Sequence, residues 1–244
     1  EGPWLPPAVT CTVQATFMTG ALPRDHGVVA NGWLFRDLME VWLWRQSNRL
    51  VGGEKIWEAG QRRNGGFTCA NLFWWYNMYA PVEWSVTPRP SYPSDGRKVF
   101  DSYSKPADLK DRLQTKLGVF PLLKFWGPGT DISSTRWIVD AALEVQREQQ
   151  PMLSLVYLPH LDYNFQRFGP NDPRCNQDLR EVDAEAGRLI DASLARGAGG
   201  VVLSEGAITP VDRSVHLNRV VREPGDLPGR REKLGWGTLD CGES

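Results

Sequence analysis

Three apolar, charge-free runs constrain the fold of this chain more than any other feature. They are residues 67–75 (FTCANLFWW), 152–158 (MLSLVYL) and 201–204 (VVLS). Their composition is typical of strands that are buried on both faces. Helical patterns lie between these runs, and strands joined by helices form right-handed crossovers. The sequence therefore predicts an α/β fold, with a mainly parallel sheet sandwiched by helices.

Four segments have the apolar spacing of helices: residues 10–19, 54–63, 130–150 and 178–196. Ser133 or Ser134 could cap the third, and Leu179 is expected on the inner face of the fourth. Residues 80–104 are rich in Pro, Ser and Tyr, too polar for regular core structure, and indicate a surface excursion or lid. We expect one α/β domain over residues 1–244.

Composition excludes some classes of partner. The formal net charge of −1 gives no electrostatic basis for binding nucleic acid or an anionic membrane surface. No run of 18 apolar residues is present, so no membrane span is expected. The cysteines are far apart, without metal-binding spacing, and predict buried, reduced thiols in a cytoplasmic protein. They are Cys11, Cys69, Cys175 and Cys241.

Tryptophan is unusually abundant, with 11 residues, most of them before residue 138. Two interpretations are open. The indoles could form an aromatic core, since each buries a large area and needs one hydrogen-bond partner. Alternatively, some of them could form a stacking wall for a sugar or a base.

Residues 7–31 place a threonine ahead of an asparagine, with a turn containing Gly, Pro and His between them. Thr10 is expected at the N-terminus of the first helix, where the helix dipole favours an alkoxide. A threonine hydroxyl is a poor nucleophile unless a metal or a base activates it. From the residues alone, Thr10 could equally be an N-cap threonine, and so could Thr12 or Thr16.

The segment resembles the nucleophile region of the type I phosphodiesterase/nucleotide pyrophosphatase family, within the alkaline phosphatase superfamily. The family elements P-x-x-T, T-G and H-G-[IV]-x-x-N appear without a gap, from Pro7 to Asn31. The resemblance implies that Thr10 is the nucleophile, forms a covalent phospho-threonine and binds the activating metal. It also implies that Asn31 donates its amide to a phosphate oxygen, where charge builds in the transition state.

Residues 159–170 (PHLDYNFQRFGP) resemble the family's D-x-x-x-H-x-x-G-P segment, whose aspartate and histidine bind one metal. The Gly-Pro end aligns Asp162 with the aspartate and Gln166 with the histidine. The amide oxygen of Gln166 favours Mg²⁺, Mn²⁺ or Ca²⁺ over Zn²⁺. His160 is a further candidate ligand, although a histidine near a proline turn is often structural.

Residues 204–210 resemble the family's S-D-H-G-M segment, which holds the other metal. Glu205 is an acidic substitute for the aspartate, whereas Gly206 replaces the histidine and removes a ligand. His216 could substitute for that histidine or could be an ordinary surface residue. The family's N-terminal strand with its metal-binding aspartate has no counterpart here, and neither does a later histidine. Two explanations are open: a fragment of a longer protein, with the fold incomplete, or a degenerate relative that lost its metals.

The resemblance implies a metal-dependent hydrolase with two divalent ions in the full-length protein, Zn²⁺, Mn²⁺ or Mg²⁺. The expected substrate is a small phosphodiester, a nucleotide pyrophosphate or a related phosphonate ester, with aromatic residues stacking on the leaving group. The altered ligands support an alternative, a non-catalytic binding or scaffold protein on the same fold. A sulfatase is disfavoured because Cys11 lacks the C-x-P-x-R context.

Overall fold

The computed structural model describes residues 7–91, 93–95, 97, 99–223, 229–231 and 237–239. The α-helices within these residues are α1 Thr10–Thr19, α2 Pro23–His26, α3 Ile56–Arg63, α4 Leu109–Leu117, α5 Ile132–Gln149, α6 Leu161–Phe168, α7 Cys175–Ala195 and α8 Leu217–Arg222. The strands are β1 Gly32–Phe35, β2 Glu40–Leu43, β3 Cys69–Leu72, β4 Trp84–Pro88, β5 Ser102–Lys105, β6 Leu153–Val156, β7 Gly229–Arg231 and β8 Gly237–Leu239.

The central sheet has four strands in the order β5-β4-β3-β6. Strand β3 pairs in parallel with both β4 and β6, and β5 adds an antiparallel edge. Ala70 is opposite Trp84 on one side and Ser154 on the other. The prediction of a mainly parallel sheet flanked by helices is confirmed. Separate antiparallel pairs are formed by β1 with β2 and by β7 with β8.

Helices cover both faces of the sheet, and β3 contributes to a core on each. Ala70 and Leu72 pack in one cluster with residues of α4 and α5, among them Leu113 and Ile138. Cys69 packs in the second cluster, with residues of α1 and α3. Successive residues of a strand point to opposite faces, so this short, charge-free strand needs apolar neighbours on both sides.

The four expected helices are present: α1 has the predicted ends, and α3, α5 and α7 have ends shifted by one to three residues. Helix α5 is capped by Asp131, whose carboxylate accepts a hydrogen bond from Ser133 N at 2.9 Å, rather than by Ser133 or Ser134.

The first apolar run is a strand only as far as Leu72. Phe73 follows with a φ of 64°, which turns the chain away from the sheet.

The expectation of a surface excursion over residues 80–104 is wrong at both ends, because β4 and β5 lie there. Val86 of β4 is fully buried, and so is Thr87. The polarity of this segment misled the prediction. Thr87 Oγ1 donates to Gln46 Oε1 at 2.5 Å, and a hydroxyl with a hydrogen-bond partner can be buried at little cost. The described residues between the two strands are mostly exposed.

The predicted strand over residues 201–204 is also wrong. This segment has no regular structure, and Val201 and Val202 are 83% and 76% exposed. Apolar composition favours a strand only where a neighbouring strand pairs with it and other side chains cover it. Strand β6 pairs with β3 and is not paired with this segment. Leu179 of α7, expected on the inner face of its helix, is half exposed.

The described cysteines are free and buried, as expected: Cys11, Cys69 and Cys175. Cys241 lies outside the described residues. Within the described part of the chain, no helix is both long enough and apolar enough to cross a bilayer.

A matched pair of valine substitutions tests the two corrections to the sheet. We expect Val86→Ala to lower the free energy of unfolding by about 2–3 kcal/mol, because it removes buried methyl groups from a packed core. Val202→Ala should change it by less than about 0.5 kcal/mol, because that side chain already faces solvent. Urea denaturation measures both; a comparable loss for the two variants would contradict the exposed position of residues 201–204.

Candidate active site

Thr10 is the first residue of α1, and the residue at the N-cap position is Val9. No side chain caps this helix, so the Thr10 hydroxyl is not used for capping. It lies 3.3 Å from the phenol oxygen of Tyr157, the residue that directly follows β6. The nucleophile candidate is therefore held where the N-terminus of a helix meets the carboxyl edge of the parallel strands, a usual place for sites in such sheets.

Asn31 is fixed beside the start of α1 by two hydrogen bonds. Its Oδ1 accepts from Cys11 N at 2.9 Å, and its backbone oxygen accepts from Trp44 N at 2.8 Å. No described residue accepts a hydrogen bond from Nδ2 of Asn31. The side chain thus uses its oxygen to hold the helix start and keeps its N–H donors for another group.

Two carboxylates lie close enough to Tyr157, the partner of this hydroxyl, to affect its pKa: Asp162 in the first turn of α6 and Glu205 in the segment after α7. Burial, together with the charge of Glu205, raises the pKa of Asp162 to about 6. The segment that carries Glu205 lies beside the residues that lead into α1. A Cβ added at Gly206 would lie 3.1 Å from the Cβ of Ala8. Two like charges therefore share a partly desolvated space.

Tyr157 was not predicted as a site residue, although its position at a strand end could have indicated it. Burial raises the pKa of its phenol well above the usual value, and the charges of Glu205 and Asp162 raise it further. The phenol therefore stays protonated near neutral pH. It can donate a hydrogen bond to the Thr10 oxygen but cannot remove the Thr10 proton as a phenolate.

Gln14 is a second residue that the sequence analysis missed. It is fully buried one turn after Thr10, on the same face of α1. Its Nε2 donates to Glu205 Oε1 at 2.7 Å, and its Oε1 accepts from Trp75 N at 2.7 Å. Gln14 thereby orients Glu205 toward α1. The i, i+4 spacing from Thr10 is the signal that could have identified it.

A cavity of about 1070 Å³ opens from Thr10, Tyr157 and Asp162. The β1–β2 hairpin contributes aromatic side chains to its wall, and the guanidinium of Arg45 lies 3.9 Å from the centre of the Trp42 ring. The tryptophans that line it are Trp42, Trp44, Trp75 and Trp126. Others, including Trp57 and Trp74, are core residues. Tryptophans therefore occur both in the core and in the wall of the cavity, and Trp75 belongs to both sets.

The remaining predicted ligands lie elsewhere. Gln166 is exposed and lines a shallow depression that adjoins the cavity, since Gly127 and Tyr163 line both, but it does not line the cavity itself. His160 is buried, with its Nε2 3.5 Å from Asp178 Oδ1 on α7. His216 is exposed. The structure thus brings together Thr10, Asn31, Asp162 and Glu205, and does not add Gln166, His160 or His216 to them.

The four gathered residues could hold a divalent cation through the carboxylates of Asp162 and Glu205 and the hydroxyl of Thr10. Such oxygen donors suit Mg²⁺ and Mn²⁺, and Zn²⁺ also accepts carboxylates. Burial and the charge of Glu205 raise the pKa of Asp162, and no cation among the described residues forms an ion pair with it. A cation at this place would supply that compensation, so the residues fit one.

Comparisons with known proteins show the fold and the family of this chain. The fold is similar to that of phosphonoacetate hydrolase from Sinorhizobium meliloti 1021, solved with phosphonoacetate bound, with a TM-score of 0.60 and 15% identity. That likeness covers 92% of this chain and 54% of the hydrolase. An uncharacterized pyrophosphatase/phosphodiesterase of Schizosaccharomyces pombe is 23% identical over 206 residues, which are 76% of this chain and 32% of the relative.

The chain therefore spans about a third to a half of the length of these proteins. Residues 5–240 match the family described as type I phosphodiesterase / nucleotide pyrophosphatase. Because this match includes nearly every residue, the chain belongs to the type I phosphodiesterase / nucleotide pyrophosphatase family.

Proposed function

We propose that the full-length protein is a metal-dependent hydrolase of small phosphodiesters, nucleotide pyrophosphates or related phosphonate esters, with Thr10 as its nucleophile. The observation that carries this proposal is the position of the Thr10 hydroxyl. It starts a helix, contacts Tyr157 at 3.3 Å and opens into an aromatic cavity that Asp162 also lines. A threonine with only a packing role would not need this combination.

In the proposed reaction, Thr10 Oγ1 loses its proton to solvent and forms a bond to phosphorus as the bond from phosphorus to the leaving group breaks. The leaving group departs with the electron pair; water then attacks phosphorus, the bond from phosphorus to Oγ1 breaks, and Thr10 regains a proton as phosphate is released. A divalent ion held by Asp162, Glu205 and Thr10 would favour the ionised form of the threonine hydroxyl. Gln14 keeps Glu205 in position, and Tyr157 orients the Thr10 oxygen by a hydrogen bond.

Asn31 would stabilise the transition state. Its Oδ1 is already engaged with Cys11 N, so its Nδ2 is the atom available to a non-bridging phosphate oxygen. Negative charge increases on such oxygens during the reaction. A donor that is fixed before the reaction begins costs no reorganisation, which is why donors of this kind contribute strongly to catalysis.

The cavity wall supports a substrate with an aromatic leaving group, such as a nucleotide. Indole rings stack on a base or another flat group, and Trp42, Trp44 and Trp126 are all within this wall. Arg45, stacked on Trp42, adds a positive charge that suits a second phosphate.

A non-catalytic binding protein is the second candidate. It is favoured by the positions of Gln166 and His160, neither of which lines the cavity of Thr10 within the described residues. Such a protein would bind a phosphate ester in the cavity without turning it over. The experiments below separate the two candidates.

Removing the nucleophile tests the catalytic proposal directly. The full-length protein, supplied with Mn²⁺ or Zn²⁺, should hydrolyse bis-p-nitrophenyl phosphate. Thr10→Ala should lower kcat by at least about 10³-fold because no hydroxyl remains to attack phosphorus. Release of p-nitrophenol measures the rate.

Thr10→Ser is the matched control, since it keeps a hydroxyl at the same position and should retain measurable activity. Equal activity in wild type and Thr10→Ala would remove Thr10 from the mechanism. No hydrolysis by the wild type with either Mn²⁺ or Zn²⁺, combined with binding of inorganic phosphate, would favour the binding protein.

Asn31→Asp tests the role of the amide separately from its structural role. The new side chain keeps an oxygen that can accept from Cys11 N, but it loses the N–H donors and places a negative charge near the phosphate. We expect kcat to fall by about 10²–10³-fold, with thermal stability close to that of the wild type. A loss of stability that accounts for the lost activity would show that Asn31 acts only on the fold.

The carboxylate pair predicts a pH dependence of stability in the metal-free protein. The folded-state pKa of Asp162, about 6, lies above its ordinary value of 3.8, so between these values the folded state binds the proton more tightly. Stability therefore decreases as pH rises from about 4 to about 6. Asp162→Asn removes this penalty and should raise the free energy of unfolding at pH 7 by about 1–2 kcal/mol, allowing for solvent screening.

Denaturation in urea with a chelator present, at pH 4 and at pH 7, measures the effect. The variant and the wild type should differ little at pH 4, where both side chains are neutral. Asp183→Asn, on the exposed face of α7, serves as the matched control and should show no such difference. An equal effect of Asp162→Asn at both pH values would show that charge is not its cause.

A further inference from the structure

His160 is an unusual polar residue outside the proposed active site. It precedes α6, is only 3% exposed, and neither of its ring nitrogens has a hydrogen-bond partner among the described residues. Its Nε2 is 3.5 Å from Asp178 Oδ1, longer than the usual N–H···O bond of about 2.7–3.2 Å. A buried imidazole without a partner is costly and rare, so this position needs an explanation.

Two carboxylates of α7 face this imidazole. Asp178 and Glu181 are three residues apart and therefore lie on one side of the helix. One donor atom from each of His160, Asp178 and Glu181 can be chosen so that all three lie within 4.8 Å of one another. The separations suit donors that share one ion, not donors that bond to each other.

The surroundings orient these donors. Asn164 Nδ2 donates to Asp178 Oδ2 at 2.5 Å, which leaves Oδ1 as the oxygen nearest to His160. Hydrogen bonds of this kind commonly orient the carboxylates of metal sites. The described cation nearest to Glu181 is Arg136, at 3.5 Å. Its side chain is about half exposed and also contacts Glu185, so it compensates the cluster only weakly.

We propose that His160, Asp178 and Glu181 bind a divalent transition-metal ion of the zinc type. One imidazole nitrogen and two carboxylate oxygens are a donor set that Zn²⁺ accepts, with water in a fourth position. This site is distinct from the cavity of Thr10, which Asp162 lines and His160 does not. The ion would link the start of α6 to α7. It would thereby hold in place the segment that carries Tyr157 and Asp162.

Zinc binding by the chelator-treated protein tests this site, with equilibrium dialysis and elemental analysis as the readout. Because the Thr10 cavity can also take an ion, the wild type is compared with Asp162→Asn. Asp162→Asn should still bind one zinc ion, and Asp178→Asn in that background should bind at least about 100-fold more weakly. Asp183→Asn, which removes an exposed carboxylate from the same helix, is the matched control and should leave zinc binding unchanged.

Two further measurements keep the result independent of folding defects. Co²⁺ in the Asp162→Asn protein should give the visible absorption of a low-coordinate site, and Asp178→Asn should remove it. Asn164→Ala, which alters only the orienting hydrogen bond, should weaken zinc binding by about 10–100-fold while the circular dichroism spectrum is unchanged. No zinc uptake by Asp162→Asn, or equal uptake with and without Asp178→Asn, would overturn the proposal, whether or not Thr10 proves to be the nucleophile.

Discussion

The parallel pairing of β3 with both β4 and β6 is the interaction on which the rest of the structure depends. Parallel strands have their carboxyl ends at one edge of the sheet, so the residues after β3 and β6 meet there. Tyr157 and Asp162 follow β6, whereas Trp75 follows β3. Helix α1 packs on this sheet through Cys11, and that contact brings Thr10 to the same edge.

Poorly compensated negative charge is the main electrostatic feature of this edge. Burial and the charge of Glu205 raise the pKa of Asp162. Burial also raises the pKa of Tyr157, and the charges of Glu205 and Asp162 raise it further. The protein supplies only one neutral donor to Glu205, from Gln14, within the described residues. A divalent ion shared by the two carboxylates would compensate both charges at once, as the proposed function requires.

Local patterns were reliable where the nearest neighbours in sequence decide the structure. Helix α1, helix α5 and strand β6 lie close to their predicted positions. The predictions were wrong where residues distant in sequence decide the structure. Thr87 is buried because β4 has strands on both sides and Gln46 accepts its hydroxyl hydrogen, which no local pattern indicates. Residues 201–204 have a strand-like composition, but no neighbouring strand pairs with them, and they stay exposed.

The sequence by itself determined the family and the candidate nucleophile, because spaced motifs such as those around Thr10 and Asn31 need only the order of residues. Only the tertiary structure decided which polar residues share the site. It placed Gln14 and Tyr157 next to Glu205 and Thr10 through contacts 191 and 147 residues apart. It also directed His160 toward α7 and left Gln166 in solvent. Side-chain direction depends on how helices pack on the sheet, and that packing is a property of the whole chain.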